Sequence, residues 1–119
     1  MAVILGLKRE KDWEKFEKEI AAAAQKFTPL EISQVEAMDR ATFEQQVLQR
    51  SDLSLEQKKI LASLLFEKMS WHLELNEKER YAPLKEKCLL LYSHLRDNFT
   101  ENEFDLNTHY RLEFLSKLE

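Results

Sequence analysis

The chain has 119 residues with one cysteine, one glycine and two prolines, and its 18 basic and 22 acidic residues give a net charge of −4. One cysteine excludes an internal disulfide framework, and so little glycine argues against a β-rich fold, whose tight turns need it. The acidic balance disfavours nucleic acid as a partner, and no apolar run approaches the roughly 20 residues that span a bilayer.

The same composition, rich in leucine, glutamate and lysine, predicts helices with solvated outer faces. We expect an all-α, single-domain bundle over residues 1–119, with about five mostly antiparallel helices and short loops. We also expect a cytoplasmic protein without a cofactor. The single glycine excludes a phosphate-binding P-loop and a dinucleotide fingerprint, and no nucleophile motif is present, so no catalytic residue is assigned.

An apolar N-terminal arm, residues 1–7, precedes the first charged run. Val3, Ile4, Leu5 and Leu7 are too few to enter a membrane and too many to remain in water. The arm is therefore predicted to dock, either as an extra turn on the first helix or across a dimer partner.

The first predicted helix covers about 8–27. Its apolar side chains recur in steps of three and four, which places them along one side of a helix. They are Trp13, Phe16, Ile20, Ala23 and Phe27.

A helix start is predicted at "TPLE", where Thr28 suits the N-cap, Pro29 the first helical position and Glu31 a capping box. The second helix then runs to about Arg50 and is apolar on two sides. One side carries Ile32, Val35, Phe43 and Val47, and the other carries Leu30, Met38, Ala41 and Leu48. Such a helix is either sandwiched between neighbours or kinked near Asp39. Met38 and Leu48 are candidate interface residues.

The third predicted helix, about 55–75, follows a capping box formed by Ser54 and Gln57. It is apolar around most of its circumference, which is typical of a helix with neighbours on several sides. We therefore expect it to be the central element, with Leu61 and Leu64 deeply buried.

The stretch "HLELNEKERYAPLKEKC" contains the His-x-Glu and Pro…Cys letters of a zinc deaminase. A deaminase needs two cysteine ligands, and Cys88 has no partner nearby. We interpret "NEKER" as a turn and Pro83 as the first residue of a fourth helix, about 83–98. Cys88 lies in the apolar stripe of this helix and is expected to be an inert core residue.

The fifth predicted helix follows "TENE", a capping box at 100–103, and its apolar residues are spaced by four. They are Leu106, Tyr110, Phe114 and Leu118. A second column holds Asp105, His109 and Glu113, which on a helix could bind a metal at the surface. We interpret it as a solvated column of charge.

Four carboxylates form another pattern: Glu14 and Glu17 in "EKFE", then Glu36 and Asp39 in "EAMD". This Glu-x-x-Glu followed by Glu-x-x-Asp resembles the magnesium-binding elements of the all-α NTP pyrophosphatases, the MazG-like family. The resemblance covers only these four positions. It implies that they bind magnesium on the phosphates of a nucleotide, since hard cations take oxygen ligands.

The sequence as a whole favours a non-enzymatic bundle that binds another protein, as an adaptor, an inhibitor or immunity-type protein, or a homodimer. The expected partner is a second copy or a protein with a basic surface, which an acidic chain would attract. A magnesium-dependent, MazG-like NTP pyrophosphatase is the alternative.

Overall fold

The computed structural model describes residues 13–98 and 106–117, and every regular element in these ranges is a helix. In chain order the elements are α1 (Trp13–Phe27), α2 (Ile32–Ala37), α3 (Arg40–Phe43), a π-helical turn that continues α3 (Glu44–Leu48), α4 (Leu55–Glu74), α5 (Lys78–Asn98) and α6 (Leu106–Lys117). The predicted all-α bundle is confirmed. The predicted apolar arm and the "TENE" capping box lie outside the described residues.

Helix α4 is the centre of the bundle, as predicted. Leu61 and Leu64 have no solvent exposure, and buried positions lie on several sides of the helix. The capping box is also confirmed: Gln57 N–H donates to the Ser54 hydroxyl, and Ser54 N–H donates to the Gln57 side chain. Burying one such leucine contributes about 1.5–3 kcal/mol, so this helix supplies a large share of the apolar stabilisation.

Helix α1 runs antiparallel to α4. Near its start, the Phe16 ring stacks on Trp71 with centroids 4.9 Å apart. At its end, the Phe27 carbonyl accepts a hydrogen bond from Gln57 Nε2 at 3.2 Å. Early residues of one helix thus meet late residues of the other, as short connections predict.

The second predicted helix is broken near Asp39, which decides between the two alternatives in favour of the kink. Met38 and Asp39 have extended backbone, with ψ angles of 139° and 174°. The break turns most of both apolar sides towards the core, whereas Ala41 stays exposed. Ile32, Val35, Phe43 and Val47 are buried, and Met38 and Leu48 are half-buried against the same core.

The predicted helix start at Thr28 is wrong. Helix α2 begins at Ile32, and its N-cap residue Glu31 makes no side-chain capping bond. Thr28 instead closes the preceding helix: its buried hydroxyl donates to the Ala24 carbonyl at 2.7 Å and accepts from Leu30 N–H at 3.2 Å. A threonine can serve either end because its hydroxyl both donates and accepts.

The prediction that Pro83 opens the fourth helix is also wrong, because α5 begins five residues earlier, at Lys78. Asn76, at a φ of 57°, lets the chain turn within three residues. Glu77 N–H reaches the His72 carbonyl at 2.9 Å, which forms a Schellman closure of α4. Pro83 lies inside α5, where its missing N–H deprives the Glu79 carbonyl of its usual helical partner.

The apolar face predicted for the last helix is wrong at Tyr110 and Phe114, the two of its four positions whose burial is described. Tyr110 and Phe114 are 62% and 44% exposed, whereas Leu115 is completely buried. Arg111 and Leu112 are half-buried on the same inward side. The spacing of four predicted the wrong inward side because that side contains Arg111. Its guanidinium packs inwards at a position where an apolar pattern expects an apolar side chain.

Candidate functional sites

A cleft of about 240 Å³ lies where α1, α2, α4 and α5 meet. Its lining is mainly charged and is formed by Glu17, Glu36, Lys68, Glu79 and Arg80, together with His72, Pro83 and Leu84. The cleft therefore contains two of the four carboxylates of the predicted magnesium motif.

Lys68 lies between those two carboxylates. Its ammonium, on a nearly buried side chain, is in contact with Glu36 Oε1 and lies 3.7 Å from Glu17 Oε1. The interaction joins α1, α2 and α4. The ammonium of Lys68 balances part of the negative charge that a magnesium ion would otherwise neutralise. Lys68 and the two carboxylates can therefore act as a structural contact without a metal.

The other two members of the motif lie apart from this contact. Glu14 is exposed on α1. Asp39 is the N-cap of α3 and accepts from Thr42 N–H at 2.8 Å. That hydrogen bond holds the pKa of the Asp39 carboxyl below its usual range. The structure thus brings Glu17 and Glu36 together and gives Asp39 a capping role that the sequence did not reveal.

The deaminase-like stretch forms a helix end and a turn. His72 is buried, and its Nδ1 lies 3.1 Å from Glu77 Oε1, while Glu74 is exposed. Cys88 is completely buried, and burial raises the pKa of its thiol far above its usual range. The predicted core position of Cys88 is confirmed, and a buried neutral thiol is expected to be a poor nucleophile.

The column on the last helix is partly outside the described residues, since Asp105 lies in the gap. His109 Nε2 and Glu113 Oε1 are 3.5 Å apart, and both side chains are about half exposed. Over residues 13–98 and 106–117, no group of three His, Cys, Asp or Glu side chains could hold a metal ion.

Arg111 anchors α6 to the bundle. Its Nη1 donates to Tyr92 Oη at 2.6 Å and to Ser63 Oγ at 3.1 Å, and its Nη2 lies 3.6 Å from Glu67 Oε1. The guanidinium also lies 4.6 Å from the centroid of the Phe66 ring. Burial raises the pKa of Tyr92 to about 12, against the opposing influence of Arg111, so the phenol stays protonated as a hydrogen-bonding partner.

Lys58 forms a second polar contact that sequence patterns missed. Its Nζ donates to the Leu48 carbonyl at 3.0 Å and lies 3.1 Å from His94 Nε2. Three separate elements meet at this ammonium. Only the coincidence of Lys58 with the inward side of α4 could have indicated it.

The interface candidates fall into three groups. Val3, Ile4, Leu5 and Leu7 lie outside the described residues. Met38 and Leu48 are half-buried against the core, which leaves less uncovered surface than a straight helix would. Two exposed aromatic side chains instead lie one turn apart on α6, at Tyr110 and Phe114. Phe114 also makes an edge contact with Phe66, with centroids 5.8 Å apart.

Comparison with known proteins found no match among family models, curated proteins or solved structures. None of the helices in the described ranges combines the length and the apolar character that crossing a membrane requires.

Proposed function

We propose that the protein works by binding another protein, and that the outer face of α6 contributes the binding surface. The observation that carries this proposal is the exposure of Tyr110 and Phe114, 62% and 44%, at adjacent turns of one helix. Tyrosine and phenylalanine are enriched in protein interfaces, where they bury a large area for little loss of conformational freedom.

Phe66 extends this aromatic surface towards the core. Phe114 contacts the Phe66 ring, and the guanidinium of Arg111 packs over the rings of Phe66 and Tyr92. These contacts hold Phe114 in place before a partner arrives, which lowers the entropic cost of binding. Phe27 and Leu75 are exposed too, but they lie on other elements, and a single exposed apolar side chain is ordinary.

Charge selects the partner. With a net charge of −4, two copies of the chain repel one another at low salt, whereas a protein with a basic surface is attracted. The proposed partner is therefore a different, basic protein, and the chain acts as an adaptor or as an inhibitor or immunity-type protein. A cytoplasmic location belongs to the same proposal, and a single, buried cysteine that forms no internal disulfide supports it.

The test compares two matched variants. Tyr110→Asp places a charge in the proposed surface, and Leu75→Asp places the same charge at an isolated exposed site, 55% exposed on the α4–α5 turn. Proteins captured by the wild type from its native host should be retained by Leu75→Asp, lost by Tyr110→Asp and released by salt. Capture that both variants retain contradicts the proposed surface.

Light scattering on the purified wild type and the same two variants detects self-association. A monomer at tens of micromolar supports a different partner. A dimer that Tyr110→Asp dissociates and Leu75→Asp leaves intact would show that the surface binds a second copy, and would contradict the proposed basic partner.

The second candidate function is magnesium-dependent nucleoside-triphosphate pyrophosphate hydrolysis. One observation favours it: Glu17 and Glu36, which belong to the MazG-like pattern, line the same cleft. If this is the function, purified protein releases pyrophosphate from a triphosphate only with magnesium, and Glu36→Gln abolishes the release. Glu14→Gln, at an exposed site, should also abolish the release if all four carboxylates bind the magnesium. No release from any triphosphate eliminates this candidate.

A further inference from the structure

Lys58 carries an unusual buried charge. Its side chain is on the inward side of α4, and the residue is only 6% exposed. Among the described residues no carboxylate lies within 4.0 Å of its ammonium; the acceptors are the Leu48 carbonyl at 3.0 Å and His94 Nε2 at 3.1 Å. Buried ammonium groups are normally paired with a carboxylate, so this arrangement depends on two neutral acceptors.

These acceptors lie on different elements. Leu48 is the last residue of the π-helical turn Glu44–Leu48, and His94 lies in the last third of α5. The final carbonyls of a helix have no donor within the helix and need one from elsewhere. Lys58 supplies that donor and so fastens the segment 40–48 to the α4–α5 pair. Phe43 and Val47 of this segment are completely buried.

The contact fixes the protonation state of His94. An ammonium only donates, so His94 Nε2 must accept, and the neutral imidazole carries its proton on Nδ1. A proton added at Nε2 would place two donors and two positive charges 3.1 Å apart. Burial lowers the pKa of His94, and the charge of Lys58 lowers it further. Burial also lowers the pKa of Lys58.

We propose that Lys58 and His94 form an acid-sensitive clasp: proton uptake by His94 breaks the contact, draws Lys58 away from the Leu48 carbonyl and releases segment 40–48. The released segment exposes Phe43 and Val47. The clasp is a conformational device of the fold and does not depend on the proposed binding function.

Two charged groups among the described residues set the direction of the effect on His94. Lys58 faces it from α4, and Asp97, on the next turn of α5, opposes Lys58 but shares its charge with Arg96 at 3.3 Å. The neighbouring end of the π-helical turn presents an uncharged carbonyl. A histidine released from this contact has a pKa of about 6.5. Because the pKa in the clasp is lower, the open state binds more protons, so the clasp is stable above about pH 6.5 and weakens as pH falls below it.

Amide hydrogen exchange read by mass spectrometry tests the clasp. The protection of residues 40–48, corrected for intrinsic exchange, is compared between pH 7.5 and pH 5.0, with the central turns of α4 as internal reference. The expected result is a loss of roughly tenfold relative to α4 in the wild type, as linkage through one histidine allows. His109→Gln, at an exposed histidine in α6, should behave like the wild type.

His94→Gln is the decisive variant, because glutamine keeps an acceptor for Lys58 and cannot take up the proton. Its protection over 40–48 should not change with pH. Lys58→Met removes the donor, so its protection at pH 7.5 should already be as low as that of the wild type at pH 5.0. An unchanged wild type, or the full acid loss in either variant, overturns the clasp.

Discussion

The α4–α5 pair and the segment from Thr28 to Leu48 are held in different ways. The pair is stabilised by continuous apolar burial, with Leu61, Leu64 and Leu91 free of solvent exposure. The segment is broken at Met38 and Asp39 and continues as a short π-helical turn. Its ends and its break depend on individual polar contacts, which come from Thr28, Asp39, Lys58 and Lys68.

This difference predicts that one region of the molecule sets the global stability and the other undergoes local conformational change. Apolar burial is spread over many contacts, so the pair should open only when the whole protein unfolds. The segment from Thr28 to Leu48 buries fewer apolar side chains than the pair, and its ends and break depend on a few polar contacts, so it can open locally at a lower free energy. Substitutions in the two regions should therefore differ in their effect on stability.

The largest loss of stability is expected in the apolar pair. Leu64→Ala should lower the free energy of unfolding by about 2–5 kcal/mol, because it removes buried methyl groups and leaves a cavity. Urea denaturation measures it. Leu75→Ala, at an exposed leucine near the end of the same helix, should change it by less than about 0.5 kcal/mol. Equal effects of the two substitutions would mean that α4 is not the central helix.

A smaller loss is expected at the ion pair that anchors the segment to α4. Lys68→Met should cost about 1–3 kcal/mol, because Glu36 loses its ammonium partner while it stays partly shielded from water. Lys18→Met, at an exposed lysine of α1, is the matched control and should be neutral. The double variant Lys68→Met/Glu36→Gln should lose less stability than the sum of the two single losses. If its loss equals that sum, the two side chains are not coupled.

The smallest loss is expected where the segment leaves α1. Thr28→Val keeps the shape of the buried side chain but removes the acceptor for Leu30 N–H and the donor to Ala24, at a cost of about 1 kcal/mol. Thr28→Ser restores the hydroxyl and should recover most of the loss in the same urea titration. A loss in Thr28→Ser with no loss in Thr28→Val would assign the effect to the methyl group, which valine keeps and serine lacks.

The sequence predicted the apolar pair well because periodicity reports burial directly. The stripe of α4, its capping box and the buried Cys88 are all present as expected. The segment was predicted less well, since the hydroxyl of Thr28 can close one helix or open the next and nothing local decides between them. The kink near Asp39 was one of two open alternatives, chosen only by packing.

The polar sites were mostly missed for the same reason. Glu17 and Glu36 were selected as magnesium ligands, but the pattern could not show that Lys68, 32 residues after Glu36, would lie between them. Arg111 and Lys58 point inwards from positions that a hydrophobic pattern treats as polar surface. Tyr110 and Phe114 were assigned to the core because apolar periodicity alone cannot distinguish a buried face from an exposed one.

Native-state hydrogen exchange across a urea series at pH 7.5 tests the separation of the two regions most directly. The slowest amides of α4 and α5 should exchange through global unfolding, with a steep dependence on urea. Amides in 40–48 should exchange earlier, through a local opening with little urea dependence, and Lys58→Met should lower their protection while leaving α4 unchanged. If both regions exchange with one free energy and one urea dependence, the segment and the pair open as a single unit and the distinction between them is wrong.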